Sequence, residues 1–155
     1  MFADIGLVTL WISLVIAVYS LCAAVLGRLY KVSELITSSY RGIYILVVLI
    51  FVSTLGLVGA FVSNDFQVLY VAAHSNLAMP DIYTWVAFYA GNEGSLLYIT
   101  MILIVFSALS IRFSGKVTSD VLPIVAAILM AVLIFFLLVI IFMANPFEKS
   151  LIPMI

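Results

Sequence analysis

Four long apolar runs leave this chain almost no choice of solvent. They span roughly residues 5–27, 42–62, 94–111 and 121–143. About 20 helical residues cross a hydrocarbon layer about 30 Å thick, and the runs are close to that length. Inside lipid every backbone polar group must be satisfied internally, which leaves helices and closed barrels. The runs are apolar all round and lack the alternation of a barrel strand. Only 8% of the residues are charged, against about 25% in a soluble domain, too few to cover a water-facing surface. The expectation is an all-α integral membrane protein, one membrane domain over 1–155 with about four transmembrane helices.

The charges give an orientation. Arg28, Lys31 and Arg41 lie between runs one and two, and Arg112 and Lys116 between runs three and four. Lys149 alone falls on the other side. The positive-inside rule makes the basic side cytoplasmic, so both termini and the long connection 63–93 are expected outside. Net charge is −1, which offers nothing to nucleic acid and no polybasic lipid-binding tail. Met1 to Gly6 holds Asp4 and no base, unlike the start of a secretory signal, so run one reads as a retained helix. Cys22 stands alone in an apolar run, with no disulfide, redox or haem-attachment partner in the chain.

Small residues recur at helical spacing. Ser13, Ala17, Ser20, Ala24 and Gly27 do so in run one, and Ser53, Gly56, Ala60 and Ser63 in run two. Such seams let helix backbones approach closely in lipid, so runs one and two should pack tightly. Pro123 suits the first turn of run four, with Ser119 and Asp120 before it as good N-terminal residues. Pro146 marks that helix's exit.

The connection 63–93 is long for a compact protein, and such loops usually carry function. Phe66, Val68 and Tyr70 alternate with Asp65, Gln67 and Leu69, a period-two pattern that predicts an extended stretch. After Pro80, Ile82, Trp85, Val86 and Tyr89 fall at helical spacing, with Tyr83 and Phe88 adding aromatic surface. Aromatic rings prefer the membrane interface, so 81–90 reads as an interfacial helix. Gly91 and Gly94 permit close backbone approach, and Glu93 at the mouth of run three suits a helix N-terminus. His74 is the lone histidine. It is a weak candidate for a haem or metal ligand, with Met79 the nearest soft partner; a satisfied interfacial histidine is the simpler reading. No catalytic triad or phosphate loop is present.

Several short motifs in register resemble one family. Asn64-Asp65-Phe66 with Val68, Tyr70-Val71-Ala72 and Ser75-Asn76 resembles the N-terminal region of the CcmF family of cytochrome c-type biogenesis haem lyases. Met79-Pro80 with Tyr83 and Ala87 looks like that family's Leu-Pro, Tyr and Ala pattern. Asn92-Glu93-Gly94-Ser95-Leu96-Leu97 resembles its His-Glu-Gly-Ser-Leu-Leu signature, and Asn145-Pro146-Phe147 its Asn-Pro-Phe. Asn92 stands where the family usually has histidine, and Tyr89 where it usually has tryptophan. The family's tryptophan-rich WWD segment and its flanking haem-ligating histidines have no counterparts in these residues.

The resemblance implies transfer of haem to apocytochrome c in the plasma (inner) membrane, or alternatively the mitochondrial inner membrane. It implies haem b held mainly by a second CcmF-like polypeptide that carries the WWD segment, with this chain as the N-terminal subunit. A haem chaperone and the apocytochrome are the further partners. In that scheme Asp65, Phe66, Tyr70, Ser75 and Asn76 line or brace an outer cleft, and Glu93 and Ser95 pin the connection to run three. No complete catalytic centre is expected in this chain alone. One rival is a structural subunit of a respiratory complex; the lack of charge deep in any run disfavours a proton path. The other is a small transporter, which the absence of an inverted repeat disfavours.

Overall fold

The structure is a computed structural model that describes residues 1–78, 80–115 and 120–149, and of Asp81 the backbone alone. Met79, Lys116 and Ser119 lie outside the described residues. Six helices follow in order: α1 (Phe2–Leu29), α2 (Ser33–Val62), α3 (Leu69–His74), α4 (Asp81–Ala90), α5 (Asn92–Phe113) and α6 (Leu122–Phe142). Four of them, α1, α2, α5 and α6, are long and apolar enough to cross a membrane.

Helix starts and lipid boundaries prove to be different things. The apolar runs place the first two spans at 5–27 and 42–62, yet α2 begins at Ser33 and the turn is only Tyr30 to Val32. Lys31 takes that corner at φ 56°. The physical reason lies in Gly27: a Cβ there would come within 2.8 Å of the Ile36 side chain and 3.0 Å of its backbone nitrogen. The missing side chain lets the first turns of α2 pack on α1 before the apolar run starts. Glu34 in the first turn of α2 suits the positive end of the helix dipole.

The four long helices close a ring, α1 beside α2 and α6, α5 beside α2 and α6. Leu10, Leu46, Ile50, Leu57, Ile104, Met130, Leu133 and Leu137 are fully buried in its core. Val15, Val48, Phe106 and Phe135 face outward, as a lipid-facing surface requires.

The α1–α2 seam is the tightest part. Ser13, Ala17, Ser20, Ala24 and Gly27 are all buried, as are Ser53, Gly56 and Ala60, while Ser63 is exposed. A Cβ on Gly56 would stand 3.0 Å from the Phe2 carbonyl oxygen and 3.2 Å from the Gly6 Cα. Serines bridge the two helices: Ser53 Oγ donates to the Gly6 carbonyl at 3.0 Å and Ser39 Oγ to the Ser20 carbonyl at 2.8 Å. Interhelical bonds of this kind contribute about 0.6 kcal/mol in membranes. Ser53→Ala should therefore lower unfolding free energy by about 0.6 kcal/mol in a mixed-micelle SDS titration; a loss several times larger would mean the seam depends on the hydroxyl and not on the close approach.

The bundle has two unlike ends. Arg28, Lys31, Arg41 and Arg112 gather at one, where the Arg28 guanidinium donates to the Asp120 carbonyl. At the other lie the start of α1, the connection from α2 to α5, and residues 143–149.

Candidate functional site

The second end forms a ledge, and it begins where α2 stops. Asn64 adopts φ 51°, the left-handed conformation that glycine and asparagine tolerate. Its N–H donates to the Phe61 carbonyl at 3.1 Å and that of Asp65 to the Ala60 carbonyl at 2.9 Å. That pair of bonds is a Schellman stop, so Asn64 has a structural duty. Val68 is fully buried and forms an isolated antiparallel bridge with Lys149, with the Leu69 N–H donating to the Glu148 carbonyl at 2.9 Å.

The predicted extended stretch through Tyr70 is not what forms. After the single bridge at Val68 the chain turns into α3. Tyr70 and Val71, both buried, lie in the first turn of α3. The alternation was a coincidence of composition.

Tyr70 is the hub of the ledge. Its hydroxyl donates to the Phe88 carbonyl at 3.0 Å and accepts from the Gly91 N–H at 3.1 Å. Its ring sits edge-on to Phe61 at 5.5 Å. Burial pushes the phenol above its ordinary pKa, with hydrogen bonds from the Gly91 and Gly94 backbone pulling the other way. It is thus a neutral donor that ties α3 to the α4–α5 corner. Gly91 and Gly94 exist for this contact. A Cβ on Gly94 would fall 1.8 Å from the Phe88 carbonyl oxygen and 2.5 Å from the Tyr70 hydroxyl.

The expected pin through Glu93 and Ser95 is replaced by this phenol. The Ser95 hydroxyl donates within α5 to the Asn92 carbonyl at 3.1 Å. Glu93 stands in the first turn of α5 and makes no side-chain hydrogen bond among the described residues. Ser75 Oγ turns back to the Val71 carbonyl at 2.8 Å, and Asn76 Oδ1 accepts from the Ala78 N–H at 3.0 Å. Asp65 and Phe66 are half-buried, and among the described residues the Asp65 carboxylate takes no hydrogen bond. Pro80 precedes α4, and Tyr83 is exposed.

The third motif closes the ledge from below. Asn145 Oδ1 accepts from the Phe147 N–H at 2.9 Å across Pro146, and the buried Phe147 ring covers Gly6. Lys149 Nζ reaches Asp4 Oδ1 at 2.6 Å; both are exposed, and such pairs contribute little. Sequence reasoning found Phe147 but missed Gly6 and Phe61, and it read as aromatic surface a Phe88 that is buried. A glycine in an apolar helix was the one available sign, and it could not name its partner.

A cleft of about 350 Å³ opens between the end of α2 and α4, with Asn64, Asn76, Leu77, Thr84 and Trp85 on its walls. His74 is not among the residues that line it. A carbonyl can only accept, so the bond of His74 Nδ1 to the Tyr70 carbonyl at 3.0 Å puts the proton on Nδ1. Nε2 is left against Gly91, where a Cβ would come within 2.7 Å. Among the described residues no group of three His, Cys, Asp or Glu side chains gathers as metal ligands.

No family model matches the chain. The cytochrome c-type biogenesis protein CcmF of Escherichia coli (strain K12) is 34% identical over 142 residues, covering 92% of this chain and 21% of the relative. CcmF of Pseudomonas fluorescens is 38% identical over 92 residues, or 59% of this chain and 14% of the relative. A solved structure of the cytochrome c heme lyase CcmF shares the fold, with TM-score 0.89 at 24% identity over 96% of this chain and 25% of that one. The chain thus spans about a fifth of the length of the E. coli relative.

Proposed function

We propose, on the premise that this chain is a homologue of one portion of the CcmF proteins, that it is the bracing N-terminal part of a cytochrome c haem lyase of the inner membrane. In this reading the ledge faces outward and the basic end is cytoplasmic. The haem-bearing portion, a second CcmF-like polypeptide with the WWD segment, docks against the ledge. A haem chaperone delivers to it, and apocytochrome c is the client.

One observation carries the reading. The segments that bear the resemblance include 64–76, 92–97 and 145–147, and they meet at one end of the bundle. Tyr70 packs on Gly94, where a Cβ would fall 2.5 Å from its hydroxyl, and the Leu69–Glu148 bond brings the third segment alongside. The chain invests its buried polar contacts outside the spans in shaping this surface.

Haem is the substrate of the proposed reaction, its vinyl groups becoming thioethers with the two cysteines of a CxxCH motif; the protein supplies position and electrostatics. What these residues contribute is rigidity and a carboxylate beside the cleft. The phenol of Tyr70 and the ring of Phe147 hold the ledge, so docking need not order it. Asp65, next to the cleft-wall residue Asn64, presents a carboxylate that takes no hydrogen bond among the described residues and can accept from a partner's donor.

Asp65→Ala should lower haem-stained c-type cytochromes by roughly tenfold, the worth of one charge-assisted hydrogen bond, with the protein still present in the membrane. The Schellman stop uses only the Asp65 backbone, so the fold survives the change. Normal cytochrome levels in this variant would remove the ledge from haem transfer.

A further inference from the structure

A second groove, of about 220 Å³, opens at the basic end, lined by Ser33, Glu34, Thr37, Ser38 and Arg41. It holds one cation and one anion that do not pair. The ion pairs among the described residues all involve Asp4, so Glu34 and Arg41 share the groove with a gap between them. Both are exposed.

Their depths differ in an informative way. Arg41 borders the uninterrupted apolar run 42–62, whose length matches the roughly 30 Å hydrocarbon layer. Its guanidinium therefore lies near the boundary where lipid phosphates sit. Glu34 is two helical turns farther from the membrane, roughly 10 Å along the axis. Arginine side chains on a helix lean toward its N-terminus, so the guanidinium reaches up toward the carboxylate. Below the groove the same face of α2 continues with Ile45, Val48 and Leu55, each at least half exposed. That is an apolar track for acyl chains under a polar groove.

We propose that this groove binds the headgroup of a zwitterionic phospholipid that ends in a primary ammonium, with phosphate on Arg41 and ammonium on Glu34. The order of charges matches: in such a lipid the phosphate is the deeper group and the ammonium lies two carbons beyond it. A guanidinium suits a phosphate bidentately. A carboxylate accepts N–H donors from a primary ammonium, whereas a quaternary ammonium has none to give. A purely anionic headgroup leaves Glu34 facing like charge. The Thr37 and Ser38 hydroxyls are already committed, to the Ser33 carbonyl and to Tyr19 respectively, so selection falls to the two charged groups.

The test is native mass spectrometry of the full chain, delipidated in detergent and titrated with phosphatidylethanolamine, phosphatidylcholine and phosphatidylglycerol. Phosphatidylethanolamine should bind about tenfold more tightly than phosphatidylcholine, the worth of a charge-assisted bond. Glu34→Gln should abolish that preference, and Arg41→Gln should weaken all three lipids. The Glu34→Gln result is read as a ratio between lipids in one sample, so partial unfolding cannot imitate it. Equal binding of the three lipids by the unaltered chain, or a preference that survives Glu34→Gln, overturns the proposal. So does binding of free phosphoethanolamine as tight as that of the lipid, because the acyl track would then have no part.

Discussion

Replacing Gly94 with alanine is expected to disable the ledge while leaving the four spans intact. The new methyl would stand 1.8 Å from the Phe88 carbonyl oxygen, and that atom belongs to the backbone, so no rotamer change relieves the clash. The carbonyl is also the acceptor for Tyr70. Opening the α4–α5 corner to admit the methyl strips the phenol of its partners. Overpacking costs about 1–3 kcal/mol and a buried hydroxyl left unsatisfied about 1–3 kcal/mol more. We expect c-type cytochromes to fall by at least about tenfold on haem-stained gels, since 1.4 kcal/mol already suffices for that factor. Tyr70→Phe, which removes the bonds without the clash, should cost only about 1 kcal/mol. If the alanine variant is as mild as the phenylalanine one, the glycine is not there for close approach.

The second large effect is expected from Phe147→Ala. The ring is 2% exposed and its edge lies where a Gly6 Cβ would be, so its loss leaves a hole that α1 cannot fill from its own side chains. Buried Phe→Ala changes cost about 3–5 kcal/mol. The segment 145–149 should then come away from Val68 and from the ledge. The measurement is SDS unfolding of the purified protein together with limited proteolysis after residue 143. A loss near 3 kcal/mol or more with new cleavage is the expected outcome. A loss under about 1 kcal/mol with no cleavage would mean that the ring merely covers the helix end.

The spans and the α1–α2 seam were legible because lipid imposes one rule on every residue. Apolar length gives the crossing, and small residues at helical spacing give the contact face; Ser13, Ala17 and Ser20 are all buried against their neighbours. The ledge was legible only as a place. Its residues were picked out by resemblance, but their duties depend on long-range geometry. Nothing local says that Asn64 ends α2 in the left-handed region, that Tyr70 reaches across to Phe88, or that Phe147 needs Gly6. The extended reading of 66–70 failed because alternation over five residues is compatible with a bridge followed by a helix, as happens here after the Val68–Lys149 bridge. The boundary of α2 was misplaced because a helix can begin in the headgroup layer, before hydrophobicity announces it.

The proposed haem lyase role predicts what touches the cleft. Leu77, 82% exposed at its rim, can be replaced by a photoreactive amino acid and cross-linked in cells that make c-type cytochromes. Cross-links to a tryptophan-rich, haem-bearing segment or to an apocytochrome are the predicted result. Cross-links solely to quinone-binding or proton-pumping subunits would contradict it.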